Sequence, residues 1–452
     1  MFIILKRNWG IIDHVSCINV NMNKLWQKDS TKLHPLVEKY TVGEDYLLDR
    51  ELIVFDIEAS KAHAKGLERV GILSAEELGR LVEGLETAEK DWQAGKLKIK
   101  IEDEDCHTVI ENYLVEKLGD VGKKIHTGRS RNDQVLAALR LYMKAELAEI
   151  KKQSLELALT ILKKAREYAL IPLPGYSHTQ QAMLSSVGHY YCALTESLLD
   201  DIEFLDSVKK HIDKNPLGSA AGFGVAIPLD RQFTTAELGF ARTQVNSLYC
   251  QNSRGKFESV FLEGLSQIMM TLGRFANDLL LFTASEFVFF EVPGELTTGS
   301  SIMPQKKNLD AMEILRGNVS VVIGYEQMVK DIAKNLLSGY NRDLQLIKKP
   351  VMGSVAIVWD SIAVVRLFVE SIKPKQEAIE KKITKEIFMA DIANSLVKEQ
   401  GMPFRDAYLQ AKKGMDSGEI DFQENIKSKT SLGAPGNLGL DDYQKRIEEL
   451  SV

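Results

Sequence analysis

Residues 130–170 read SRNDQVLAALRLYMKAELAEIKKQSLELALTILKKAREYAL, and this stretch decides the fold. No glycine or proline interrupts the chain between Gly128 and Pro172. Leu136, Met143, Ile150 and Leu157 recur every seven residues, with Leu139, Leu147 and Ile161 filling the intermediate turns. That spacing keeps one apolar stripe on one side of a helix, the seam of a bundle. At 1.5 Å per residue, a helix over most of the stretch is roughly 50 to 60 Å long.

Two further stretches repeat the pattern. The 11 prolines leave long gaps, including Pro228 to Pro293 and Pro304 to Pro350, and helix interiors exclude proline. Arg254 to Ala284 carries Phe257, Phe261, Leu265, Met269, Leu272 and Phe275 at helical spacing, and Leu309 to Leu337 follows suit. No Asn-Gly turn joins alternating strands, and neither βα alternation nor an internal repeat is present. The expected fold is all-α, a central bundle of unusually long helices. Expected domains are an N-terminal helical domain over 22–129, the bundle over 130–372 and a small helical domain over 373–452. Residues 1–21 read as an extension, with Met22 an alternative start.

Composition sets the outer limits. At about 150 residues per domain, 452 residues make two to three domains with ample core. With 44% hydrophobic and 27% charged residues the chain is ordinary globular material. Its 57 basic and 63 acidic side chains leave a formal charge of −6, so nothing draws it to nucleic acid or an anionic membrane. Cys17, Cys106, Cys192 and Cys250 show no paired spacing, which predicts free thiols in a reducing compartment. No apolar run of about 18 residues is evident, and Met1-Phe-Ile-Ile-Leu-Lys-Arg7 places its charges after its apolar residues, unlike a signal peptide. A cytoplasmic protein is expected.

Three polar segments between the helices carry the chemistry-bearing residues. In Lys123-Lys-Ile-His-Thr-Gly-Arg-Ser-Arg-Asn-Asp-Gln134, Ser130 and Asp133 form a capping-box pattern, which starts the long helix here. Its free amides, with the guanidinium forks of Arg129 and Arg131, suit a carboxylate; a solvated surface cap would use the same residues. Gly175-Tyr-Ser-His-Thr-Gln-Gln181 places His178 in a polar loop, where it could protonate a leaving nitrogen or merely bond backbone. Gly299-Ser-Ser-Ile-Met-Pro-Gln-Lys-Lys-Asn308 packs two hydroxyls, two ammonium groups and an amide into ten residues, a composition helix packing does not call for. Such a loop can close over an anionic substrate and bring in a base. No histidine has the spacing of a zinc site, and no catalytic metal is expected.

These residues together resemble the argininosuccinate lyases, a branch of the fumarase/aspartase superfamily. Gly299-Ser-Ser-Ile-Met-Pro304 matches the superfamily signature, and Gln305-Lys-Lys-Asn308 and His126-Thr-Gly-Arg-Ser-Arg-Asn-Asp-Gln134 match the branch. Asp103-Glu-Asp-Cys-His107, Gly175-Tyr-Ser-His178, Tyr340-Asn-Arg-Asp-Leu-Gln345 with Lys348, and Gly401-Met-Pro-Phe-Arg405 add to the match, which runs from about Leu25 to the end.

The resemblance implies an all-helical homotetramer whose sites combine segments of three subunits. It implies reversible cleavage of argininosuccinate to L-arginine and fumarate, with neither metal nor organic cofactor. By match to the family loop, Ser300 is the expected base, His178 the acid or acid relay, and Lys306 and Asn308 the stabilisers of an aci-carboxylate. Asn132 and Ser177 fall at positions near the substrate carboxylates, and Tyr340, Gln345 and Lys348 at positions that hold the amino-acid end. Arg129, Arg131 and His107 complete the expected site.

The chain also departs from the family. Trp26-Gln-Lys-Asp-Ser30 stands where the family has Trp-Gly-Gly-Arg-Phe, and Tyr40-Thr-Val-Gly-Glu-Asp45 offers no counterpart to a substrate-binding serine. Leu309 replaces a proline, and Gln345-Leu-Ile-Lys348 lacks an acidic pair. Two alternatives stay open: another fumarate-yielding lyase of the superfamily, or an inactive crystallin-like structural protein.

Overall fold

The computed structural model describes residues 33–413 and 420–451. The extension 1–21 with Cys17, the alternative start Met22 and the departure at Trp26–Ser30 lie outside the described residues. Helices of eight residues or more are α1 (Pro35–Val42), α2 (Ile53–Arg69), α3 (Ala75–Gln93), α4 (Cys106–Leu118), α5 (Arg131–Glu167), α6 (Val187–Ile212), α7 (Lys256–Phe282), α8 (Asp310–Ala333), α9 (Lys348–Ser371), α10 (Met389–Gln400), α11 (Phe404–Lys413) and α12 (Leu440–Leu450).

The stripe expected on residues 130–170 is the seam of the bundle. Leu136, Leu139, Met143, Leu147, Ile150, Leu157 and Ile161 are all buried on α5. Each such side chain contributes roughly 1.5 to 3 kcal/mol on burial, so a charge at Ile150 would break the seam. Around α5 pack α6 and α9; α7 lies against α6, α8 and α9. The expected α7 stripe is likewise buried, from Phe257 to Phe275. On the N-terminal side α2 packs on α3 and α5, and α3 on α4. At the other end of the chain α10 stops at Gly401, whose positive φ lets its amide return to the Val397 carbonyl.

One expectation needs correcting. Gly175–Gln181, expected as a polar loop, belongs to a hairpin, β1 (Pro172–Ser177) antiparallel to β2 (Gln180–Ser186). Its two-residue turn is His178-Thr179, with φ of 52° and 61°. Two positive φ values give a turn whose twist matches the strands, and here a histidine and a threonine adopt it in place of Asn-Gly. Tertiary contacts hold it: Gln181 Nε2 donates to the Lys382 carbonyl at 2.7 Å, and Leu184 packs with Ile387, Phe388 and Ile426. Arg342–Ser371 is by length and composition apolar enough to cross a membrane. Half of its apolar 18-residue window is nevertheless buried inside the fold, Trp359 donates to Glu146 at 2.8 Å and Arg366 to Glu156 at 2.7 Å, as a bundle-core helix does.

Candidate active site

The start of α5 is fixed before it presents any side chain. Ser130 Oγ accepts from the Asn132 amide (3.3 Å), and Asp133 Oδ1 from the Ser130 amide (2.9 Å), closing the expected capping box. Asp133 Oδ2 also accepts from the amides of Gly218 and Ala220, both at 2.9 Å, which ties the glycine-rich 215–224 loop to the same helix end. The preceding Gly128 turns at φ +71°, with a Leu229 methyl 3.3 Å from where a Cβ would stand.

From this platform Arg131 and Asn132 face a cleft of about 110 Å³ shared with His107, Tyr340, Gln345 and Lys348. Six expected site residues from three distant segments therefore meet in one place. They meet because α5, α7 and α9 begin at this end, α8 finishes here, and residues 339–347 lie across it. That crossing segment is stitched to the N-terminal side: Gln345 Nε2 donates to the carbonyls of Thr41 (3.0 Å) and Val42 (3.2 Å), and Arg342 to Thr41 (3.1 Å).

The cleft is strongly charged and mostly paired. Lys348 Nζ, buried, lies 2.9 Å from Asp45 Oδ2 and 2.6 Å from Asp49 Oδ1. Burial pulls its pKa down, but the carboxylates of Asp49 and Asp45 outweigh that and raise it. Arg131 bonds Asp105 at 2.9 Å, and Arg342 bonds Glu104 at 2.9 Å. His107 Nδ1 is 2.9 Å from Asp56 Oδ2, which also accepts from Gln134 Nε2 at 3.1 Å. Burial disfavours the imidazolium, yet Asp56, with Asp105 and Asp49 beyond it, raises the His107 pKa on balance. This fixes the ring so that Nε2, buried and without a partner among the described residues, is left for a ligand. Arg129, two residues before Arg131, turns away: it is buried, donates to Ser60 Oγ (2.8 Å) and does not line the cleft.

Neither His178 nor Ser300 reaches this cleft. Ser177 and His178 are exposed at the hairpin tip, between the C-terminal end of α5 and the start of α6. Ser300, Lys306 and Asn308 belong to the connection from α7 to α8, also at the far end. The loop is pinched at its base by the Thr298–Asn308 pair of backbone bonds (3.0 and 2.9 Å). Within it Ser300 Oγ accepts from the amides of Met303 (3.2 Å) and Ile302 (3.4 Å). Two aligned amides favour negative charge on that oxygen. Leu309, where the family has proline, is buried in the core at the start of α8.

Sequence reading missed Asp45, Asp105, Arg254 and Arg342 as cleft residues, and Asp49 and Asp56 behind them. Asp45, Asp105 and Arg342 lie inside the motif segments given above; Asp49 and Asp56 belong to no motif, and charge alone does not reveal burial. Spacing also hid one grouping: Asp49, Cys106 and His107 place ligand-type atoms within 4.8 Å of one another. The Lys348 ammonium already occupies Asp49 and Asp56 holds His107, so that donor set is engaged within the fold.

Comparison with known proteins gives the relatives of the chain and of its fold. Residues 30–324 match the family described as Lyase. Argininosuccinate lyase of Thermotoga neapolitana is 46% identical over 385 residues, covering 85% of this chain and 96% of its own. Argininosuccinate lyase of Xanthomonas campestris pv. campestris is 41% identical over 430 residues, covering 95% and 99%. Among solved structures, EDDS lyase in complex with formate superposes with a TM-score of 0.75 at 21% identity, over 93% of this chain and 92% of that one. A class II fumarase from Schistosoma mansoni does so at 0.69 and 17%, over 91% and 94%. The fold is thus fumarase/aspartase-like.

Proposed function

Because this chain belongs to the argininosuccinate lyases of the lyase family, we propose that it cleaves argininosuccinate reversibly into L-arginine and fumarate, as a step of arginine biosynthesis. Ser300 Oγ takes the proton from the carbon beside a succinyl carboxylate. The electron pair moves into that carboxylate as an aci-carboxylate, facing Lys306 and Asn308. The C–N bond then breaks, and His178 delivers a proton to the departing guanidinium nitrogen. Asn132 and Ser177 lie near the substrate carboxylates, with Arg131 a further binding residue beside them; Tyr340, Gln345 and Lys348 hold the amino-acid end, with His107 close by.

The observation that carries the base assignment is the pair of amide donors on Ser300 Oγ, at 3.2 and 3.4 Å. An unassisted hydroxyl is too weak a base, and donors aimed at its oxygen lower its pKa. The separation of the cleft from His178 and Ser300 supports a homotetramer in which different subunits complete each site. Cys106, Cys192 and Cys250 are free and buried, which supports a cytoplasmic setting.

The test is fumarate release, followed by ultraviolet absorbance, with argininosuccinate, adenylosuccinate, aspartate and malate in parallel. Release from argininosuccinate alone is expected. Release from another substrate only would move the chain to a different lyase, and silence on all four would leave a structural protein.

A further inference from the structure

The charges of the cleft do not all cancel within the fold. Arg131 is taken by Asp105, Arg342 by Glu104, and Lys348 by Asp49 at 2.6 Å. Lys348 has one positive charge but two carboxylates on it, so Asp45 carries the surplus negative charge. Its Oδ2 lies on the ammonium at 2.9 Å; its Oδ1 is buried with no partner among the described residues. Opposite in sign, Arg254 has an unpartnered buried Nε and leans over the Tyr340 ring at 5.8 Å. Both side chains line the cleft, and both are more than nine-tenths buried, at 8% and 4% exposure.

A buried acceptor left unmade costs roughly 1 to 3 kcal/mol, more when charged, so the fold tolerates Asp45 Oδ1 only if something else satisfies it. Water or a cationic ligand group would serve. The neighbouring unsatisfied cation makes the ligand specific: one positive and one negative group, close together, is the signature of an α-amino acid zwitterion.

We propose that Asp45 is a specificity-determining residue that binds the α-ammonium of the arginine moiety through Oδ1, while Arg254 takes the adjacent α-carboxylate. This rests on the argininosuccinate reading. It goes beyond that reading because Asp45 lies in the segment that lacks the family's substrate-binding serine. An ionic contact there replaces a neutral one, so the chain discriminates by charge at the end of the substrate remote from the reaction. The carboxylate also explains why Lys348 is held by two acids: one neutralises it and the other is left for the ligand.

The experiment measures binding of L-arginine, 5-guanidinopentanoate (arginine without its amino group) and agmatine (arginine without its carboxylate) by calorimetry on the full chain and on Asp45→Asn. The asparagine keeps the size of the side chain and an oxygen for Lys348, and thermal melting confirms that the variant is folded. The unaltered chain is expected to prefer L-arginine over 5-guanidinopentanoate by about a hundredfold or more. In Asp45→Asn that preference is expected to shrink to within about threefold, while the L-arginine-to-agmatine ratio stays unchanged. The KM for argininosuccinate should rise at least about tenfold with a much smaller change in kcat, because the contact is made equally in ground and transition states. An unchanged preference for the α-amino group in Asp45→Asn, or no preference in the unaltered chain, overturns the proposal. Fumarate release by the unaltered chain, measured alongside, separates the two ideas. With release present and the preference unchanged, the Asp45 inference alone fails; with no release the substrate reading fails, and the binding ratio still decides Asp45.

Discussion

Asn132 and His178 stand at opposite ends of one continuous helix and cannot meet within a chain. From Asn132 to Glu167 the helix rises about 52 Å at 1.5 Å per residue. The eleven steps from Glu167 to His178 span at most about 40 Å even when fully extended. The hairpin is held by residues 382–388: Gln181 donates to the Lys382 carbonyl and accepts from the Thr384 amide, and Leu184 packs with Ile387 and Phe388. A site needing both residues must draw them from different chains.

Ser300→Ala removes the hydroxyl held by the Ile302 and Met303 amides. Turnover should fall by about a thousandfold or more, and the melting temperature should not move, because the loop is exposed and contributes no core. Steady-state kinetics and a melting curve on the same preparation check this. Activity within tenfold of the unaltered chain would remove Ser300 from the base role.

The bundle was legible in the sequence because periodicity reports burial directly: every seam residue from Leu136 to Ile161 is in the core. The Ser130–Asp133 cap was legible because capping is local chemistry. The hairpin was not, since its turn uses His178 and Thr179 at positive φ and its stability comes from Ile387, Phe388 and Ile426, some two hundred residues away. Nor was the second layer of the cleft. Asp49, Asp56 and Arg254 carry no spacing signal, and their burial appears only once α2 packs on α5 and α7 on α9. Six cleft residues were found through motif resemblance, and their partners only through geometry.

Lys348→Ala should destabilise the protein by about 3 to 5 kcal/mol. It strands two buried carboxylates, Asp45 and Asp49, that the ammonium now bridges at 2.9 and 2.6 Å. Thermal melting measures it, and an unchanged melting temperature would show the two acids satisfied some other way. Any loss of activity in this variant is to be judged against that loss of stability.

His63 makes the fold acid-sensitive. Its Nε2 lies 2.9 Å from the Thr127 carbonyl; burial, and then the nearby Arg129 guanidinium, lower its pKa from 6.5 to about 3. The unfolded chain therefore takes up a proton near pH 6.5 that the folded chain refuses until about pH 3. The stabilisation is complete above pH 6.5 and declines as pH falls toward 3, by about 1.4 kcal/mol per unit. Between pH 7.5 and 5.0 the loss should be about 2 kcal/mol, and His63→Gln, which cannot titrate, should lose that much less over the same interval. Unfolding curves at the two pH values check it; identical pH dependence in both proteins would contradict it.

The central claim is that assembly brings together, in one fumarate-releasing site, motifs that a single chain holds apart. Its most direct test mixes two inactive proteins, Asn132→Ala and His178→Asn, under conditions that exchange subunits, and measures fumarate release from argininosuccinate. Some hybrid sites then contain an unaltered Asn132 from one chain and an unaltered His178 from another. Activity well above either parent, up to about a quarter of the unaltered protein for random mixing of two inactive chains, is the predicted result. No recovery, with exchange verified by mass-labelled subunits, would contradict it.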